Sequence, residues 1–111
     1  MAFVPDRGHL IWLTFTPQAG HEQAGRRPAI VVSPRAYNSK VGLALACPVT
    51  NRAKGYPFEV AIPAGLPVAG VVLSDQLRSI DWHAREAAFI CKAPNEVLTE
   101  VLAKASTLLA G

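Results

Sequence analysis

The residues able to do chemistry gather in two short polar stretches. Glu22, Arg26 and Arg27 lie in PQAGHEQAGRRP, between the first two apolar runs, and Thr50, Asn51, Arg52 and Lys54 follow the third. A guanidinium is permanently charged, and its fork of N–H donors matches two phosphate oxygens at once. A threonine hydroxyl donates to another phosphate oxygen or to a departing one. RNA brings its own nucleophile, the 2′-hydroxyl beside the scissile phosphate. Cleavage then needs a base for that hydroxyl, donors for the developing charge and a proton for the leaving 5′-oxygen. Arg27 and Thr50 fit the donor roles, and Glu22 fits the base. On residue types alone plainer readings stay open: Arg27 as a surface ion-pair partner, Thr50 as a strand terminator and Glu22 as a solvated loop charge.

Metal and cofactor chemistry find little support. The histidines His9, His21 and His83 and the cysteines Cys47 and Cys91 show no C-x-x-C or H-x-x-x-H spacing, and phosphate-loop, dinucleotide and G-x-S-x-G motifs are absent. No cofactor is expected. Both cysteines sit among apolar neighbours (LACPV, FICKA), which predicts buried free thiols in a reducing compartment.

For Arg27 and Thr50 to act together, the chain must bring them to one end of a sheet. Residues 9–16 (HLIWLTFT) read as a strand apolar on both faces, with Leu10 and Trp12 on one and Ile11, Leu13 and Phe15 on the other. Further strands are expected over 29–33, 41–50, 58–62, 71–74, 77–80 and 84–91, with Pro48 marking a sheet edge or bulge. If 29–33 and 41–50 pair as an antiparallel hairpin through PRAYNSKVG, the start of one lies beside the end of the other. Arg27 then meets Thr50 across 23 positions of sequence. At the C-terminus Val97, Leu98, Val101, Leu102, Ala105, Leu108 and Leu109 fall on one helical stripe, with Pro94 in the first turn and Gly111 just past the end. The expected fold is mainly β (α+β): a small antiparallel β-barrel with a C-terminal α-helix, a single domain over residues 1–111.

With 111 residues and half of them hydrophobic, the chain is long enough for one core and too short for two domains. Dimerisation would supplement so small a core, with Trp82 and the apolar strand edges as interface candidates. No run approaches the ~18 apolar residues of a membrane span, and Pro5 and Asp6 interrupt any secretory signal. A cytoplasmic protein without a membrane partner is the expectation. The formal charge of +3 is unevenly placed. From Gly20 to Lys54 six basic residues (Arg26, Arg27, Arg35, Lys40, Arg52, Lys54) face one acid, Glu22, a balance of +5, whereas the rest carries −2. A phosphate-facing surface is the preferred reading of that segment.

Four motifs in this order resemble one family: G-x-E-Q-x-G-x-R-P over Gly20 to Pro28, P-V-T at 48–50, K-G-Y-P-F-E over Lys54 to Glu59, and D-Q at 75–76. They are similar to the MazF (PemK-like) toxins of bacterial type II toxin–antitoxin systems, and the similarity runs from about Val4 through the C-terminal helix. The resemblance implies an SH3-like or CcdB-like homodimeric barrel. It also implies a metal-independent endoribonuclease that cuts single-stranded RNA, mainly mRNA, at a short sequence, leaving a 2′,3′-cyclic phosphate and a 5′-hydroxyl. A MazE-like antitoxin would lay an acidic tail over the basic face, and DNA would be bound only through that antitoxin. Residue by residue, the essential arginine and threonine match Arg27 and Thr50, and the loop glutamate matches Glu22. Lys54, Arg52, Asn38 and Gln76 are implied as substrate contacts, and Phe15 as either a base-stacking or a core residue. Arg26 and Val49 depart from familiar members. The alternatives in other classes are a gyrase poison of the same barrel type and a nucleic-acid-binding barrel without activity.

Overall fold

The computed structural model describes residues 3–15 and 25–110, which form an antiparallel sheet of seven strands closed over on one side by a long helix. The strands are β1 (His9–Thr14), β2 (Arg26–Val31), β3 (Ala44–Thr50), β4 (Glu59–Ala61), β5 (Val71–Leu73), β6 (Arg78–Ile80) and β7 (Ala88–Lys92); the helices are α1 (Arg35–Val41) and α2 (Asn95–Leu109). In space the order is β4-β5-β3-β2-β1-β7, with β6 pairing the other half of β3.

The central strand β3 explains why a proline is tolerated in mid-sheet. On one edge β3 pairs with β2; on the other, β6 takes residues 44–46 and β5 takes residues 49–50. Pro48 falls in the changeover between those two partners, where a missing N–H costs no ladder bond. The expectation that Pro48 would mark an edge or bulge is thus replaced by a switch of partner strands. Strand β2 also starts earlier than its apolar run suggests, because the ladder with β1 continues through Trp12↔Pro28, Leu13↔Arg27 and Thr14↔Arg26.

Each face of the sheet carries its own core, as the double-sided pattern of β1 requires. One, beneath α2, joins Leu10, Ile30, Cys47, Val49, Val60 and Val72 to Val97 and Val101. The other collects Ile11, Leu13, Phe15, Ala29, Val31, Ala44, Ala46 and Ile80, with Trp82 and Phe3 laid against it. Trp82, an interface candidate, is half-buried: it packs against this second core, and its indole N–H donates to the Asn38 carbonyl at 3.1 Å. The apolar stripe of α2 overruns the sheet: Val97, Val101 and Ala105 are buried, whereas Leu108 and Leu109 at its end are exposed. Cys47 and Cys91 are both free thiols, Cys47 buried as expected and Cys91 only half-buried; burial pushes Cys47 up to about 12 and Cys91 upward, so neither is poised as a nucleophile.

The connection between β2 and β3 differs from the sequence expectation. PRAYNSKVG contains the seven-residue helix α1, which has no apolar period to announce it. Its anchor is polar instead. Asn38 is fully buried, its amide donates to the carbonyls of Pro5 (2.9 Å) and Ser33 (3.0 Å), and its Oδ1 accepts from the Ser33 hydroxyl at 2.6 Å. The implied role of Asn38 as a substrate contact is therefore corrected: all of its described bonds serve the fold, and no part of it reaches solvent. A buried amide that lost these partners would leave carbonyls unsatisfied, at about 1–3 kcal/mol each.

Candidate functional site

The Arg27–Thr50 juxtaposition follows from strand register. β2 and β3 pair antiparallel through Ala29↔Pro48, Ile30↔Cys47 and Val31↔Ala46, and continuing that register two residues sets Arg27 directly opposite Thr50. On the outer sides, Leu13 of β1 lies opposite Arg27 and Val71 of β5 lies opposite Thr50. Opposed residues of an antiparallel pair share a face and hold their Cβ atoms about 4.5–5.5 Å apart. Arg27 and Thr50 thus stand together at the end of the second core, on the face of Ala29, Val31 and Ala46.

Their surroundings suit an anion. Arg27 is half-buried, so its charge is partly shielded from water without being sealed off. Thr50 is buried, and its Oγ1 accepts the Arg52 N–H at 3.2 Å. That bond fixes the hydroxyl oxygen and leaves its proton available to donate outward, since no described residue accepts it. Arg52 and Lys54 are exposed on the segment that leaves β3 beyond Thr50.

The described backbone on both sides of this end is braced. The Phe15 N–H donates to the Gly25 carbonyl at 2.8 Å, tying together the two described residues that flank segment 16–24. Arg26 donates to Thr14 Oγ1 (3.2 Å) and to the Glu86 carbonyl (2.8 Å), and Arg85 donates to the Thr14 carbonyl (2.9 Å). Arg26, the departure beside the candidate site arginine, therefore clasps the start of β2 to the end of β1 and to the turn that precedes β7. On the other side, both oxygens of Glu59 accept backbone N–H groups, from Lys54 at 2.9 Å and from Gly55 at 3.1 Å.

The remaining expected residues divide. Glu22 lies outside the described residues. Gln76 ends a single 3-10 turn (Ser74–Gln76) between β5 and β6, beside the middle of β3 rather than at its Thr50 end, since the Ser74 carbonyl lies 4.0 Å from Cys47 Sγ. Phe15 is 1% exposed within the second core, with the Arg78 guanidinium 5.7 Å from its ring centroid. Of its two readings, core and base stacking, the structure supports the core. Nothing in the sequence singles out Arg78. Its pairing with Ala46 puts it on the face that carries Arg27 and Thr50, a placement that only the register of the short strand β6 reveals. Among the described residues no group of three His, Cys, Asp or Glu side chains converges as a metal site would require.

Comparison with known proteins agrees along the whole chain. Residues 6–109 match the family model described as PemK-like, MazF-like toxin of type II toxin–antitoxin system. The endoribonuclease toxin MazF of Escherichia coli K12 is 48% identical over 107 residues, covering 96% of each chain. The Escherichia coli endoribonuclease PemK is 38% identical over 108 residues, covering 94% of this chain and 81% of that one. Among solved structures, MazF from Deinococcus radiodurans superposes with a TM-score of 0.96 at 62% identity, covering 99% of this chain and all of the other. The MazE–MazF complex from the same organism matches with a TM-score of 0.87 at 56% identity, over 98% of both chains.

Proposed function

This chain belongs to the PemK-like, MazF-like family of toxins of type II toxin–antitoxin systems, and from that premise we propose that it cuts single-stranded RNA, chiefly mRNA, by attack of the substrate's own 2′-hydroxyl. The observation that carries this reading is Arg27 set opposite Thr50 at one end of the sheet, with Arg52 and Lys54 exposed just beyond. Glu22 takes the proton of the 2′-hydroxyl. The Arg27 fork holds the two non-bridging oxygens as charge builds on them, and the Thr50 hydroxyl donates toward the departing 5′-oxygen. The oxygen–phosphorus bond to the 2′-hydroxyl forms as the bond to the 5′-oxygen breaks. The products are a 2′,3′-cyclic phosphate and a 5′-hydroxyl, with no water consumed. The 5′-oxygen takes up a proton from solvent as Glu22 gives its own back, so the proton lost from the 2′-hydroxyl is balanced and no metal is assigned a step.

Lys54 and Arg52 hold flanking phosphates, and Gln76 contacts the strand further along β3. A MazE-like antitoxin is the protein partner, its acidic tail competing with RNA for the +5 segment; solved structures of relatives pair MazE with MazF. A homodimer extends the groove, and the cytoplasm supplies the substrate; no described helix is long and apolar enough to cross a membrane. A gyrase poison acting by protein contact would need no arginine opposite a threonine beneath basic loops.

A single deoxy substitution tests the nucleophile. Once a cut bond is mapped in a short oligoribonucleotide, replacing only the 2′-hydroxyl on its 5′ side with hydrogen is expected to abolish cleavage at that bond. Cleavage that persists there would assign the attack to water and remove this mechanism.

A further inference from the structure

The segment between β3 and β4 presents a side chain with no task in the fold. Tyr56 is 56% exposed and belongs to neither core. Yet the backbone that carries it is fixed. The Glu59 carboxylate takes the N–H groups of Lys54 and Gly55, and the Glu59 N–H donates back to the Tyr56 carbonyl at 3.1 Å. Gly55 supplies the left-handed turn (φ +79°) that this closure needs. The Glu59 carbonyl is itself held by Lys104 of α2 at 2.9 Å, so the brace is anchored to the main body of the protein. An aromatic ring is thus held in water by a preorganised loop six residues beyond Thr50, with its apolar faces largely uncovered.

The same loop sets a charge against that ring. Lys54 Nζ lies 5.8 Å from the ring centroid, within the range of a cation–π contact, and Arg52 is exposed two residues earlier. A flat apolar face flanked by cations matches one chemistry closely: an unpaired base that stacks while its adjoining phosphates meet the ammonium and guanidinium groups. An acidic peptide would use the cations and leave the ring idle.

We propose that Tyr56, steadied by Lys54, is a stacking subsite for one base of single-stranded RNA beside the cut phosphate. The subsite rests on the ribonuclease reading and adds to it a residue that grips the strand by a base rather than by charge. Stacking accepts any base, so the ring contributes affinity and register more than sequence choice. The phenol hydroxyl has no part in it.

The test is equilibrium binding in EDTA of a fluorescein-labelled, all-2′-deoxy single strand of mixed sequence, which lacks the nucleophile and stays intact while anisotropy is read. Tyr56→Ala and Tyr56→Leu are expected to weaken binding about ten-fold, and Tyr56→Phe to restore it. On a cleaved RNA the Ala variant should show the same rise in KM with kcat within about two-fold, because the ring contacts neither the 2′-hydroxyl nor the leaving oxygen. Binding by Tyr56→Ala that equals wild type would overturn the subsite, as would Tyr56→Leu binding as well as Tyr56→Phe. A loss confined to binding of a MazE-like antitoxin would also overturn it. Tyr56-dependent binding by a wild-type chain that cuts no RNA would instead overturn the ribonuclease reading and leave the subsite standing. Thermal midpoints of the three variants near wild type confirm that the exposed ring is not part of the fold.

Discussion

Arg27→Ala is expected to lower the rate of RNA cleavage by about three orders of magnitude while the protein remains folded. One preorganised donor aimed at developing charge is worth about 10²–10³ in rate, and a guanidinium supplies two such donors together with a full charge. Its removal leaves the phosphate with the Thr50 hydroxyl alone. Arg27→Lys restores the charge without the fork and should recover only a small part of the loss. Thr50→Ser keeps the hydroxyl and should remain within about ten-fold of wild type, whereas Thr50→Val keeps the shape and should fall about a hundred-fold. Single-turnover rates on a defined oligonucleotide read all four, with circular dichroism as the check on folding. Both cores are built from other side chains, so retained secondary structure is expected in each variant. Full activity in Arg27→Ala would remove that residue from the site.

The second large effect comes from a residue with no side chain. Gly70 precedes β5 with φ +116°, and its backbone crosses so close to β3 that an added Cβ would stand 2.2 Å from the Thr50 carbonyl oxygen and 3.0 Å from Asn51 Cα. Those neighbours are main-chain atoms held in the β3–β5 ladder, where Thr50 is paired with Val71, so neither can swing away. Gly70→Ala must push the end of β3 aside or break the start of β5. Overpacking of this kind costs about 1–3 kcal/mol, with the left-handed backbone penalty added. The displaced residue is Thr50 itself, and a shift of about 1 Å at a reacting group costs about 10² in rate. Loss of both stability and activity is expected, read by denaturant midpoint and by cleavage rate. Gly65→Ala, in the turn between β4 and β5, is the matched control. It too has a positive φ, yet nothing lies within 4 Å of the point its new methyl would occupy, so about 1 kcal/mol and little activity should be lost. Equal behaviour of the two variants would show that the crowding at Thr50 does not matter.

How far the sequence reads depends on the kind of interaction that decides each residue's place. The apolar, aromatic run HLIWLT and the helical stripe from Val97 to Ala105 are properties of the local chain, and both elements stand where those patterns put them. The meeting of Arg27 and Thr50 is legible for the same reason: antiparallel pairing of two recognisable strands fixes which ends coincide, even though the connection between them holds an unforeseen helix. Asn38 is illegible, because a polar residue in a polar stretch gives no sign that the carbonyls of Pro5 and Ser33 will enclose it. Phe15 shows a different failure. Its alternation with Ile11 and Leu13 already points to the core, and the base-stacking option comes only from resemblance. Arg78 depends on the register of a three-residue strand, too short to show a pattern. Gly70 carries no signal at all outside the fold, since its importance lies in the approach of a distant carbonyl.

On the proposed mechanism the chain cuts RNA with its own side chains and the substrate's hydroxyl, Arg27 and Thr50 supplying the donors. The most direct measurement incubates the purified protein with a long single-stranded RNA in excess EDTA and maps the ends of every fragment. Cuts are expected at a recurring short sequence, each leaving a 5′-hydroxyl on one fragment and a 2′,3′-cyclic phosphate on the other. Intact RNA, or fragments that carry 5′-phosphates, would contradict that mechanism.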